Sequence, residues 1–108
     1  MTDEHIEKTK SAIESAGNIP ADRKAELLDL LSKLKPAIKE ASETHHENAR
    51  SIARLVEAST HETIRTRKKP EPGLLDELKQ SAQRFEASHP HLAAFVNQYS
   101  TVLSALGI

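Results

Sequence analysis

The six histidines are the residues of this sequence with the most chemical potential, because imidazole binds metals and titrates near neutral pH. They are His5, His45, His46, His61, His89 and His91. No two of them stand four residues apart and no HExxH motif is present, so the spacing does not predict a metal site on one helix. Glu57 and His61 have helical spacing, but two ligands alone make a weak site.

A site assembled between helices is an alternative functional hypothesis. If the chain folds back near residue 70, one histidine of the first half comes within about two helical turns of a pair in the second half. A metal- or pH-responsive protein would then use His45, His46, His89 and His91. The competing interpretation is a polar layer in a helical seam, formed by His45 and Asn48, which fixes register at some cost in stability. We favour the polar layer and expect neither metal nor cofactor.

Catalysis is not predicted. Ser51 and Thr44 lie near or beside histidines in sequence, but neighbouring residues of a helix point to different faces. The sequence carries no paired-carboxylate arrangement, no Gly-rich phosphate loop and no nucleotide-binding motif. Cysteine is absent, which excludes thiolate catalysis, thiolate metal sites and disulfides. We therefore expect a protein that is not an enzyme.

One basic cluster gives a weaker alternative, a nucleic-acid accessory protein. It consists of Arg65, Arg67, Lys68 and Lys69. Cations can contact phosphates, but at the end of a helix they also interact favourably with the helix dipole. The whole chain has 15 basic and 16 acidic residues and a net charge of -1, so it has no general attraction to nucleic acids. Nucleic-acid binding is accordingly not the favoured prediction.

Two apolar stripes with alternating spacings of three and four residues must position these side chains. This spacing is typical of a helix that packs lengthwise against another helix, as in a coiled coil. The first stripe consists of Leu27, Leu31, Leu34, Ile38, Ala41, His45, Asn48, Ile52 and Leu55. The second consists of Leu75, Leu78, Ala82, Phe85, His89, Leu92, Val96, Tyr99, Leu103 and Leu106. The sequence therefore predicts an all-α fold.

The predicted organisation is one helical domain over residues 1–108. Pro36 and Pro90 lie off the stripes, so we expect the helices to continue through them with kinks, although Ser88 could instead cap a new helix at Pro90. The expected elements are a short helix over about 3–16, a long helix over about 20–68, a turn over 69–73 and a helix over about 74–106.

A short turn between two long helices predicts an antiparallel hairpin, and hence a rod about 70 Å long. In that rod Leu55 faces Phe85, and Ala41 lies near Tyr99. Two helices cannot bury the apolar residues that flank the stripes, so we expect these to form the interface of a homodimer. They are Leu28, Leu30, Val56, Leu74, Phe95 and Val102. The rival is a compact monomer broken at one of the prolines.

No apolar run approaches the roughly 20 residues of a membrane span, and the first residues lack the pattern of a secretory signal. We therefore expect a cytoplasmic protein with no membrane partner. The stripes describe assembly, so the predicted function is self-association or interaction with a protein that the sequence does not identify.

The C-terminal residues also carry a resemblance. Residues 85–92 read Phe-Glu-Ala-Ser-His-Pro-His-Leu, and the chain ends with Leu-Ser-Ala-Leu-Gly-Ile. Both segments resemble the ending of a family of short bacterial helical proteins known as a domain of unknown function. The stretch from Thr44 to Arg54 and the pair His61-Glu62 resemble some longer members. The resemblance implies a bacterial, cytoplasmic, helical protein, and it implies no activity, cofactor or catalytic residue.

Overall fold

Five α-helices follow one another in the computed structural model, which describes residues 2–17, 19–66 and 72–106. No strand occurs in these residues, so the prediction of an all-α fold is confirmed. The helices are α1 (Thr2–Ser15), α2 (Ala21–Ser42), α3 (His46–Thr66), α4 (Pro72–Gln83) and α5 (Pro90–Leu106). Within the described residues, no helix combines the length and the apolar character that crossing a bilayer requires.

Short connections set the directions of the helices. Residues 16–20, 43–45 and 84–89 each join two consecutive helices, and connections this short make neighbouring helices antiparallel. The ion pairs agree, since residue 5 of α1 meets residue 57 of α3 and residue 7 of α1 meets residue 35 of α2. Helices α1 and α3 are thus parallel. Helix α2 packs against α1, α3 and α5, while α4 packs against α3 and α5.

The bundle measures 37 × 24 × 19 Å along its principal axes, and its radius of gyration is 12.6 Å. It therefore differs from the predicted rod of about 70 Å. In place of each long helix expected from the sequence, the structure has two helices that fold back on one another: α2 and α3 in the first half, α4 and α5 in the second. Folding back buries apolar residues on more than one side of the stripes, and this burial outweighs the loss of helix continuity at the two breaks.

The first break replaces the expected continuous helix over 20–68. The amides of Glu43 and Thr44 bond to carbonyls three residues earlier, at 3.3 Å each, which tightens the last turn of α2. The carbonyl of His45 then accepts the amide four residues on, at 3.0 Å, and α3 begins. No Gly or Pro lies near this turn, so the sequence carried none of the usual signals for it.

The two internal prolines occupy different positions. Helix α2 continues through Pro36, which is exposed. Pro90 is the first residue of α5, a position where the missing backbone N–H has no partner to lose. The carbonyl of His89 accepts the amide of Leu92 at 3.1 Å, so the cap position belongs to His89 and not to Ser88. The second long helix is therefore broken and not kinked.

Most residues of the two stripes form the core. The almost fully buried members include Leu27, Leu31, Leu34, Ile38, Ala41, Ile52, Leu78, Ala82, Phe85, Leu92, Val96, Tyr99 and Leu103. His45 and His89, the two histidines on the stripes, both lie at breaks between helices. At each of the two breaks the stripe residue is thus a histidine.

The turn expected over 69–73 lies partly outside the described residues, and Pro72 and Gly73 belong to α4. Of the basic cluster, Arg67, Lys68 and Lys69 also lie outside them. So do the last two residues of the resembling C-terminus, 107 and 108.

Candidate functional site

Two of the four histidines proposed for a metal site meet at one aromatic ring. The His45 ring lies 5.6 Å from the Phe85 ring, and the His89 ring lies 5.8 Å from it, both in edge-on geometry. Phe85 itself is 1% exposed, whereas His45 is exposed and His89 is half-buried. The breaks at 43–45 and 84–89 position these imidazoles, one from each turn.

The other two histidines do not complete a metal site. His91 stacks on Phe95 one turn along α5, with 6.2 Å between ring centroids, and His46 is the exposed first residue of α3. Among the described residues there is no group of three or more His, Asp or Glu side chains placed to hold one metal ion. The predicted polar layer of His45 and Asn48 is also corrected, because His45 lies in an exposed turn.

The residues predicted to form a dimer interface lie mostly inside the chain. Val56 is fully buried, and Leu30 and Val102 are each only 7% exposed, so the premise that they face an open side is corrected. The remaining three are partly buried and pack against the core: Leu28, Leu74 and Phe95. In the compact fold these flanking residues pack between helices of one chain. In the predicted rod they would have been buried only by a second chain.

An open apolar groove lies between α1 and α3. Two adjoining depressions, of about 340 and 400 Å³, share Ala12 and His61 and form one continuous groove. Its floor contains Ala12, Ala16 and Ile64, with His61 exposed at its middle. We call it the α1/α3 groove. It exists because the side chains of α1 that face outward beside α3 are short and leave the space between the helices unfilled.

His5 and Glu57 link the same two helices. His5 Nδ1 lies 2.6 Å from a carboxylate oxygen of Glu57, and the two side chains are 22% and 18% exposed. The spacing in sequence pairs Glu57 with His61, one helical turn away, and does not predict this contact with His5. The residues are 52 apart in sequence, and only the parallel packing of α1 and α3 brings them together.

Ion pairs stand at both ends of the α1/α3 groove. At one end, Glu4 pairs with Lys8 at 3.2 Å and Glu7 pairs with Lys35 at 2.7 Å. Hydrogen bonds from these lysines, together with their charges, lower the pKa of both carboxyls below the usual range. At the other end stands Arg65, which bonds Glu62 at 2.7 Å and whose side chain is 72% exposed.

A second groove lies between α2 and α5 and has a volume of about 360 Å³. We call it the α2/α5 groove. Leu30 and Val102, two of the predicted interface residues, contribute to its lining. The rest of the lining is polar and consists of Glu26, Asp29, Lys33, Gln98 and Thr101.

A buried polar contact joins α3 to α5. The hydroxyls of Thr60 and Tyr99 lie 2.5 Å apart, and both residues are 0% exposed. Thr60 also donates to the Val56 carbonyl at 2.7 Å, so its oxygen accepts the Tyr99 proton. Burial raises the pKa of the Tyr99 phenol, and the hydrogen bond to Thr60 lowers it by less. The hydroxyls of Ser59 and Ser100 are buried as well and have no hydrogen-bond partner among the described residues.

Comparison with known proteins supplies a family but no activity. No curated protein and no solved structure matches the chain. Residues 50–108 match a family described as a domain of unknown function, DUF4404. The match begins in the first turns of α3 and runs through α4 and α5, which is more than half of the chain. The chain therefore belongs to the DUF4404 family.

Proposed function

We propose that this protein is a non-enzymatic helical module that acts by self-association and by contact with other proteins. The observation that supports the proposal best is the α1/α3 groove, an open channel with an apolar floor and charged ends. Exposed apolar surface bordered by polar groups is typical of protein interaction sites. A cytoplasmic location belongs to the same proposal.

The polar groups of the described residues favour this function over catalysis. The charged side chains at the α1/α3 groove are engaged in ion pairs, and the hydroxyls of Thr60 and Tyr99 are bonded to one another in the core. A catalytic site needs a nucleophile or base within reach of a substrate pocket. His61 is the one histidine among the residues that line the α1/α3 groove. In the described structure, no serine or carboxylate of the groove lining is hydrogen-bonded to His61.

Native mass spectrometry of the purified protein at two concentrations tests the proposal. We expect a dimer whose fraction increases with concentration and whose mass equals that of two chains. A monomer at every concentration would contradict self-association. Excess mass from a bound metal would contradict the proposal and favour metal binding by the histidines.

A second candidate function, pH or metal response, is favoured by one observation: His45 and His89 approach the same Phe85 ring from two different turns. Protonating both imidazoles would place two positive charges around one buried ring. This candidate predicts that melting temperature changes between pH 5.5 and 7.5, or on adding zinc, and that replacing both histidines with Asn removes the change. His46→Asn is the matched control, because His46 is exposed and contacts no aromatic ring in the described structure.

A further inference from the structure

We infer that two copies of this chain associate by exchanging helices α1 and α2, after the turn at 43–45 straightens and joins α2 and α3 into one helix. In the exchanged dimer, α1 and α2 of one copy pack on α3 and α5 of the second copy, through the same contacts that the single chain makes within itself. This inference rests on the proposed self-association and gives its mechanism. The partner is a second copy, because that copy carries the matching surfaces.

The turn at 43–45 is already close to helical in its backbone. Glu43 has φ -63° and ψ -32°, which are α-helical values. The amide of His45 donates to the Ala41 carbonyl at 2.9 Å, a bond that spans four residues as in an α-helix. The departure from a continuous helix is therefore confined to the residues around His45.

Straightening the turn completes backbone hydrogen bonds that the single chain leaves open. The amides of residues 46–48 stand in the first turn of α3, and none of them bonds to an earlier backbone carbonyl in the described structure. In a joined helix they reach the carbonyls of residues 42–44. No Gly or Pro occurs over residues 37–69, so the joined helix contains no helix-breaking residue at the turn.

The first apolar stripe keeps its phase across the turn, which a joined helix needs in order to bury one face along its whole length. Leu34, Ile38 and Ala41 on α2 and Ile52 on α3 belong to this stripe, and each is at most 1% exposed. On one helix these residues lie on the same side, where they can pack against the same side of an antiparallel second copy. The packing of α2 against α3 is then reproduced between the two copies.

The side chains of the turn oppose straightening little. Residues 43–47 are all exposed, so moving them removes little apolar surface from the core. The edge-on contact of His45 with the Phe85 ring is lost, and the added backbone hydrogen bonds offset this loss. The main opposing term is the entropy lost when two chains associate, which makes the exchange depend on protein concentration.

The turn at 84–89 is less suited to straightening, although the second stripe also stays in phase across it. Phe85 in this turn is 1% exposed, so the turn is anchored in the core. Pro90 would lie in the interior of a joined helix, where it has no amide to donate and its ring crowds the carbonyl four residues earlier. The exchange is therefore expected at the first turn and not at the second.

The exchange changes which contacts join two chains, and the absence of cysteine makes this measurable with introduced thiols. His5 on α1 meets Glu57 on α3, so this contact lies within one chain in the monomer and between chains in the exchanged dimer. With a short bismaleimide, the double variant His5→Cys, Glu57→Cys should give a covalent dimer in denaturing mass spectrometry. The matched control is Glu7→Cys with Lys35→Cys, because α1 and α2 move together and this pair stays within one chain.

Proline at position 46 tests the straightening itself. His46 is the first residue of α3, where proline is well tolerated in the monomer, but in a joined helix it would remove an interior hydrogen bond. We expect His46→Pro to weaken the dimer by more than about a hundredfold, because both copies carry the change. Ala21→Pro puts proline at the first position of α2, after Pro20 with ψ 146°, and should leave the dimer unchanged.

Native mass spectrometry measures the dimer in each variant, and circular dichroism verifies that each is folded. A covalent dimer through residues 5 and 57, together with loss of the dimer in His46→Pro, would support the exchange. A dimer that survives His46→Pro, or whose cross-links between residues 5 and 57 stay within one chain, would overturn the exchange and leave self-association intact. A wild-type protein that is monomeric at every concentration would overturn both. If the double-cysteine variant does not fold, the two proline variants decide the outcome.

Discussion

Two polar contacts between helices differ in how far water reaches them. Thr60 and Tyr99 join α3 to α5 with no exposure, while His5 and Glu57 join α1 to α3 with about a fifth of each side chain exposed. In the buried contact the Tyr99 hydroxyl has only the Thr60 oxygen as its acceptor, and no water can replace that partner if it is lost. In the half-buried contact solvent can take the place of either partner. The energetic consequence of losing one side should therefore be larger in the core.

The largest effect is expected from Thr60→Val, which keeps the shape of the side chain but removes the acceptor of the Tyr99 hydroxyl. We expect a loss of about 2 kcal/mol in the free energy of unfolding, since a buried donor is left unsatisfied. Tyr99→Phe should cost less, about 1 kcal/mol, because Thr60 retains its bond to the Val56 carbonyl. Urea unfolding measures both.

The double variant Thr60→Val with Tyr99→Phe is the control for this pair. With both polar groups replaced by apolar groups of similar shape, we expect it to be more stable than Thr60→Val alone. If the losses in the free energy of unfolding were additive in the double variant, the two hydroxyls would act independently. The contact between them would then not be the cause of the losses in the single variants.

The next effect concerns alkaline pH. Because burial raises the pKa of Tyr99, the folded chain keeps the phenol proton at pH values where the unfolded chain, with a pKa near 10, loses it. The free energy of unfolding should thus fall as pH increases above about 10, by up to about 1.4 kcal/mol per pH unit, and the effect should be absent below about pH 9.

Tyr99 is the only tyrosine, so tyrosinate absorbance reports this residue alone. We expect it to appear only as the protein unfolds. Tyr99→Phe should show a shallower loss of stability above pH 10. Equal slopes for the wild type and this variant would contradict a buried, protonated phenol.

A smaller effect is expected where α1 meets α3. His5→Ala and Glu57→Ala should each cost about 1 kcal/mol or less, and their double-mutant cycle should give a coupling of about 0.5–1 kcal/mol. Glu4→Ala, which removes an exposed ion pair on α1, is the matched control and should leave the urea midpoint of unfolding nearly unchanged, because solvent screens this pair. A coupling as large as that of Thr60 and Tyr99 would show that exposure does not separate the two contacts.

The smallest effect is expected at Ser88. Its side chain is exposed in the turn before α5. The carbonyl that accepts the first backbone hydrogen bonds of α5 belongs to His89, so His89 occupies the N-cap position. Ser88→Ala should therefore change the melting temperature little, corresponding to less than about 0.5 kcal/mol. A loss near 1 kcal/mol, the usual value for an N-cap, would restore Ser88 to the capping role that the sequence allowed.

The sequence predicted the helical class and the core positions because hydrophobic spacing is a local signal. Leu27, Leu34, Val96 and Leu103 are all buried as the stripes indicated. The break at 43–45 is not predicted and the break before Pro90 is only an alternative, because the stripes stay in phase across both and phase favours continuous helices. Phase alone cannot distinguish one long helix from two that each bury the same face. The histidines on the stripes, His45 and His89, lie at the two breaks, whereas the sequence interpretation places His45 with Asn48 in a polar layer.

The candidate site was harder to predict than the fold. The α1/α3 groove depends on α1 lying parallel to α3, and that follows from the turn at 43–45, which has no Gly or Pro. Once the turn is placed, His5 reaches Glu57 and His61 faces α1. No spacing within either helix reports such a pairing, since the partners are 52 residues apart. Only the order of the helices in the bundle supplies this information.

Pro36 has a consequence for the way α2 opens. A proline in the interior of a helix has no amide to give to the carbonyl four residues earlier, here that of Ser32. The hydrogen-bond ladder of α2 therefore has a gap on its exposed side, between the buried groups around Leu31 and those around Ile38. Local openings that spread along the helix from either end should stop at this gap. Amide hydrogen exchange should then divide α2 into two blocks with separate protection, although it is a single helix in the structure.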